Sequence, residues 1–203
     1  MTNEICSKKS DMNGMESLNQ LYRIGCGPSS SHTMGPEKAC VIFKEKNADA
    51  DEFKVILYGS LAKTGKGHCT DSVIENTLAP IPTTVEFDFD KTDIDHPNTM
   101  DMFAYKNGEQ IDFARVLSVG GGRIEFDGNS AAKEPIVYEL STFSDIKAYC
   151  KEKKYRLWQY VDEVEGEYIW DYLAKVWQTM KDAIERGIED EGILPGGLDV
   201  QKK

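Results

Sequence analysis

Two Gly-Pro pairs, Gly27-Pro28 and Gly35-Pro36, bracket the run Ser29, Ser30, Ser31, His32, Thr33, Met34. Few stretches restrict a backbone so tightly. Pro28 fixes one φ, Gly27 and Gly35 admit unusual ones, and Pro36 suits the opening of a helix, where the N–H it lacks would be unpaired anyway. The chain must turn here and then enter a helix. Side chains 29 to 33 offer hydroxyls, an imidazole and backbone N–H groups at a helix start, where small anions bind readily. A serine-rich capping turn would use the same residues without any chemistry. The rest of the chain favours the functional reading.

Residues 53–59, FKVILYG, read as an almost continuously apolar buried strand. This strand, ending at Gly59, runs into SLAKTGKGHCTD (60–71), with two glycines, Lys66, His68, Thr70 and Asp71, and then into helix-like SVIENTL. A strand opening into a Gly-rich, basic turn at a helix start presents N–H groups and a cation to an anionic ligand. The spacing of a nucleotide-binding phosphate loop is absent, which argues against nucleotides. The chain has three histidines: His32, His68 and His96. Two lie in these loops, and the third lies in HPNTM (96–100) beside Asn98. None falls on an apolar helical face, and imidazole is the usual side chain for proton transfer near neutral pH. Between two strand-like stretches, SVGGGRI (118–124) places Gly120, Gly121 and Gly122. Glycines there indicate close backbone approach to a ligand or a neighbouring strand, or a bulge.

In order, GPSSSHTMGP, YGSLAKTGKGHCTD, HPNTM and SVGGG resemble the signature loops of the bacterial iron–sulfur L-serine dehydratases (L-serine deaminases). The first two are the most specific, and the resemblance extends over essentially the whole chain. It is confined to the family's β part, the N-terminal half of its single-chain members. The resemblance implies a mixed α/β (α+β) fold: a serine dehydratase β-domain-like sheet with flanking helices, then a C-terminal helical segment. It also implies deamination of L-serine to pyruvate and ammonia, a cytoplasmic location and a homo-oligomer. The family's 4Fe-4S cluster is held by cysteines of a catalytic α part, expected as a separate chain or a missing C-terminal half. GILPGGLDVQKK (192–203) looks like the junction where that part begins.

Resemblance and residue chemistry together assign roles. Iron in the α part would bind the serine carboxylate and hydroxyl as a Lewis acid. His68 is the first choice for the base that takes the Cα proton, although the residues alone do not rank it against His32 or His96. Ser29, Ser30, Ser31, Thr33 and His32 would orient the substrate or its leaving group, and Lys66 would counter the carboxylate. Thr70, Asp71, His96, Asn98, Gly120, Gly121 and Gly122 would line the pocket. A second reading is a non-catalytic, serine-binding allosteric module; three imidazoles in loops favour the catalytic half. A third is an unrelated anion-binding structural protein.

Cys6, Cys26, Cys40, Cys69 and Cys150 contain no CxxC or related pair. Their odd number and scatter argue against a disulfide framework and for free thiols in a reducing cytosol, so no metal site is expected in this chain. Cys26 and Cys69 lie inside the signature loops, where family members more often carry an apolar residue and a glycine. A net charge of −11 argues against nucleic acid and anionic membrane surfaces as partners. No apolar run reaches the roughly 20 residues of a membrane span.

The organisation expected is a flexible 1–16, a β domain over 17–140, a helical linking or docking segment over 141–191, and the junction at 192–203. Helices are expected at 17–24, 36–46 and 71–78, a strand at 85–90, and a hairpin over 102–119 turning at Asn107-Gly108. RIEFDGN and PIVYEL add strands. KEKK (151–154) reads as a solvated helix end. Three helical segments follow Ser141, the last ending near Gly187. Trp158, Trp170 and Trp177 all fall in this region, as core packing or as an interface for the α part.

Overall fold

The computed structural model describes residues 14–126, 129–130, 135–193 and 200–202. Most of the expected flexible N-terminus (1–13) and half of the junction segment (194–199) lie outside the described residues. In chain order the elements are β1 (Met15–Glu16), α1 (Leu18–Leu21), α2 (Met34–Lys46), β2 (Glu52–Tyr58) and α3 (Gly59–Thr64). A short 3-10 turn (Lys66–His68) leads into α4 (Thr70–Leu78), β3 (Thr83–Asp88), β4 (Thr99–Lys106), β5 (Glu109–Gly120), β6 (Arg123–Phe126), β7 (Asn129–Ser130) and β8 (Ile136–Tyr138). Then come α5 (Phe143–Lys153), α6 (Leu157–Glu165), α7 (Tyr168–Glu189), β9 (Gly192–Ile193) and β10 (Gln201–Lys202). This is an α/β fold. No helix among the described residues is long and apolar enough to cross a membrane.

Two compact units emerge: residues 14–24 with 135–188, and residues 25–126 and 129–130 with the C-terminal residues from 189 on. Within the first unit, β1 pairs with β8. The reason is Glu165, a buried carboxylate on α6. It accepts from the Ser17 hydroxyl (2.5 Å), the Leu18 N–H (2.7 Å), the Tyr138 hydroxyl (2.7 Å) and the Tyr168 hydroxyl (3.0 Å). A buried charge must be paired or fully hydrogen-bonded, so this one residue gathers the N-terminal segment, β8 and the last helix around α6.

The helices of this unit begin and end much as their caps dictate. Thr142 accepts from the Asp145 N–H and starts α5, whose exposed KEKK end closes on Lys154 at φ 58°. The last helix runs two residues past Gly187, to Glu189. Trp158, Trp170 and Trp177 are 53%, 37% and 60% exposed, so packing against a core is not what holds them. Only Ile169 of α7 is buried.

In the second unit a six-stranded sheet runs in the order β3-β2-β4-β5-β6-β7. The β2-β3 pair is parallel and the others are antiparallel. The parallel pair is joined by the α3–α4 connection, and the β4-β5 hairpin turns at Asn107 (φ 54°) and Gly108 (φ 79°), as expected of an Asn-Gly turn. Alternation puts Phe53, Val55, Leu57, Met100, Met102 and Val116 on one sheet face. They pack with Phe43 of α2, Leu61 of α3 and Ile74 and Leu78 of α4, all fully buried. Ile74→Ala removes a buried side chain from this layer and is expected to cost about 2–5 kcal/mol, read as a lower urea midpoint. On the other face Tyr58 and Arg115 both bond buried Asp101, and burial with the Asp101 charge pushes the Tyr58 phenol up to about 12.

Local differences from the sequence reading have physical causes. The helix α2 begins at Met34, so Pro36 sits inside its first turn, where a missing N–H still costs nothing. The stretch expected as a Gly-rich turn at 59–71 is largely helical: α3, the 3-10 turn and the start of α4 follow one another. Gly65 makes this continuous, because a Cβ there would stand 2.1 Å from the Leu61 carbonyl oxygen. Cys69 takes the left-handed conformation (φ 58°) at the junction, a position glycine fills without strain.

Candidate active site

The segments singled out in the sequence meet at one end of the sheet. The C-terminal ends of β2 and β5 and the start of β4 lie there, as the antiparallel register requires. The Ser60 N–H donates to the Pro97 carbonyl (2.6 Å), tying α3 to the HPNTM segment. Asn98 Nδ2 donates to the Ser118 carbonyl (3.3 Å), tying that segment to β5. A Cβ on Gly35 would stand 2.2 Å from Ser118 Oγ, so the serine loop's helix closes against the same strand. Only glycine fits at 35.

At the centre His32 and His68 are stacked, ring centroids 4.5 Å apart and tilted by 36°. His32 is buried; His68 is half-buried. Ser29 Oγ and Ser31 Oγ each lie 3.2 Å from His32 Nδ1, and on the other side Thr64 Oγ1 (2.9 Å) and Ser60 Oγ (3.3 Å) face its Nε2. His68 Nδ1 lies 2.8 Å from the Thr64 carbonyl oxygen, which can only accept, so Nδ1 carries the proton and Nε2 the lone pair. Burial, and then the charge of His68, hold His32 below the ordinary histidine range, against a smaller pull from the Ser60 carbonyl. The His32 ring is thereby kept neutral, and its contribution to stability, present above about pH 6.5, is lost as pH falls.

The other expected site residues fall into place less uniformly. Ser30 gives its carbonyl to the Gly35 N–H. Thr33 is fully buried, and its hydroxyl lies within hydrogen-bond distance of the Cys26 and Ser29 carbonyls (2.5 and 2.7 Å), to one of which it donates, so it is turned to the loop's own backbone. Lys66 Nζ lies over the Phe87 ring, 5.6 Å from its centroid, rather than against the histidines. Thr70 is buried at the start of α4 with its hydroxyl unpartnered among the described residues, and Asp71 accepts from the Ser72 N–H. His96 Nδ1 accepts from the Asn98 N–H (3.1 Å), which puts the His96 proton on Nε2. Asn98 Oδ1 and Ser118 Oγ are buried without a partner among the described residues. Gly120, Gly121 and Gly122 have φ of 103°, 59° and 70°, so this turn needs glycine.

Sequence reasoning missed Ser60 and Thr64. They share a four-residue spacing with His68, the repeat of one helix face, and that signal was hidden by reading 59–71 as a turn. Among the described residues no group of three or more His, Cys, Asp and Glu could hold a metal ion. Cys26 is exposed, Cys40 is buried with its thiol pushed up to about 12 by burial, and Cys69 and Cys150 are half-buried. An iron–sulfur cluster needs several converging thiolates, and the described residues of this chain do not provide them.

Two histidine rings 4.5 Å apart, one of them in the hydroxyl-rich loop, thus meet at the end of the mixed sheet of an α/β protein. Residues 17–86 match the serine dehydratase beta chain family. The chain is 32% identical to L-serine dehydratase 1 of Escherichia coli, over 93% of this chain and 53% of that protein. It is 30% identical to L-serine dehydratase of Haemophilus influenzae, over 93% and 53%, and 27% identical to that of Streptomyces coelicolor, over 92% and 53%. The chain is thus similar to the L-serine dehydratases and, over residues 17–86, to the serine dehydratase beta chain family. It spans about half the length of the curated relatives it matches.

Proposed function

We propose that this chain is the β part of an iron–sulfur L-serine dehydratase of the cytoplasm, which converts L-serine to pyruvate and ammonia together with an α part. The observation that carries this reading is the His32–His68 pair, with the His68 ring against that of His32 in the serine loop and its Nδ1 on the Thr64 carbonyl. His68 Nε2 takes the Cα proton; the electron pair forms the Cα–Cβ double bond and hydroxide departs from Cβ. Once protonated, the departing hydroxide is water, and the aminoacrylate left behind tautomerises and hydrolyses to pyruvate and ammonia. Ser29, Ser31 and neutral His32 orient the substrate and its leaving group, while His96, Asn98 and the Gly120–Gly122 turn complete the pocket.

A 4Fe-4S cluster would be held by cysteines of the α part, since the described residues here do not fit one, and would supply Lewis-acid binding of the serine carboxylate and hydroxyl. The test is reconstitution. The 203-residue chain alone is expected to form no pyruvate from L-serine and to take up no stoichiometric iron and sulfide under anaerobic conditions. Combined with a cysteine-bearing α part, it is expected to do both. Failure of the combination, with L-serine still bound by the chain in calorimetry, would favour the allosteric serine-binding module.

A further inference from the structure

Thr64, a residue of α3 outside the serine loop, meets both rings: its hydroxyl faces His32 Nε2 and its carbonyl faces His68 Nδ1. Thr64 Oγ1 has a single proton and lies 2.9 Å from the Ser60 carbonyl oxygen, four residues back in its own helix. A carbonyl only accepts, so the proton goes there, the usual back-bond of a helical threonine. The oxygen's lone pair is then all that Thr64 can offer His32 Nε2 at 2.9 Å, and Nε2 must donate. The neutral His32 ring therefore has a bare Nδ1, which accepts from Ser29 or Ser31. On the same residue, the Thr64 carbonyl takes the Nδ1 proton of His68 at 2.8 Å, leaving Nε2 bare.

We propose that Thr64 is a positioning residue that sets the two histidines in opposite tautomers, His32 as Nε2–H and His68 as Nδ1–H, so that the two bare nitrogens lie on different edges of the stacked pair. This rests on the reading that His68 is the base. It deepens that reading by naming what holds the base in the required form. In water free histidine favours Nε2–H, so His68 is held in its minor tautomer by the carbonyl alone. The side chain of Thr64 acts on His32 and its backbone on His68, and the two effects can be separated by mutation.

Long-range nitrogen–proton correlation spectra of the full chain, with labelled histidine at mildly alkaline pH, read each tautomer directly. The nitrogen shifts of His32 and His68 are expected to show opposite patterns. Thr64→Val, nearly isosteric, removes the lone pair that His32 Nε2–H meets at 2.9 Å and is expected to change the His32 nitrogen shifts while His68 keeps its pattern. Thr64→Ser restores the wild-type spectrum. His68 found as Nε2–H in the wild type, or His32 unchanged in Thr64→Val, would overturn the proposal. A folded spectrum in each variant, judged by its dispersed methyl signals, excludes simple unfolding. No turnover is needed, so failure of the dehydratase reading in the reconstituted enzyme is a separate outcome from failure here.

Discussion

His68→Ala is expected to lower the turnover number of the reconstituted dehydratase by at least about 100-fold, because a positioned general base contributes roughly 100- to 10,000-fold. The Michaelis constant should move far less. A base acts mainly in the transition state, so its removal leaves the ground-state contacts of the serine loop in place. The geometry makes the expectation specific: the Thr64 carbonyl binds Nδ1 of His68, so its Nε2 is the nitrogen free to take a proton. Steady-state kinetics on pyruvate formation read the result. If only the Michaelis constant rose, His68 would be a binding residue and the base would have to be His32 or His96. Of these, His32 is the weaker candidate, since burial and the neighbouring charge keep it neutral and its Nδ1 is engaged by Ser29 and Ser31.

The second large effect is on stability. Glu165→Ala leaves the Ser17, Tyr138 and Tyr168 hydroxyls and the Leu18 N–H without their shared acceptor. Hydrogen bonds to a charged group are worth roughly 1.5–3 kcal/mol each and do not add, so a loss of about 3–5 kcal/mol is expected, measured by urea denaturation. The pH dependence has a definite sign. Burial pushes the Glu165 carboxyl up, but the bonds from Leu18, Ser17, Tyr138 and Tyr168 together outweigh it and hold the carboxyl below its ordinary 4.5. A lowered folded-state value means that the stabilisation is complete above about pH 4.5 and is lost as pH falls through the lower folded value. Glu165→Gln should flatten that acid limb, and an unchanged acid limb in Glu165→Gln would show that another group governs it.

Much was legible from local pattern. The Asn107-Gly108 hairpin, the apolar strand ending at Tyr58 and the helix opened by the serine loop each follow from residues adjacent in sequence, because turn chemistry and periodicity are local properties. The sequence also singled out His32 and His68, as imidazoles in Gly- and Ser-rich segments, and the fold brings their rings together. What could not be read was anything set by contacts across the chain. Glu165 looks like one more acidic residue of a charged helix until Ser17, almost 150 positions away, is brought beside it. Lys66 suggested a counter-charge, and only packing placed it over Phe87. Thr33 suggested a ligand contact, and only the folded loop turned its hydroxyl to two backbone carbonyls.

The sequence by itself determined which residues could do proton chemistry, and where the chain had to turn, because donor inventories and φ preferences belong to single residues. The tertiary structure alone decided how His32 and His68 share their protons. A tautomer depends on which oxygen stands at each ring nitrogen, and the oxygens that matter belong to Ser60 and Thr64, brought to His32 from about thirty residues away by the packing of α2 and α3 at one end of the sheet.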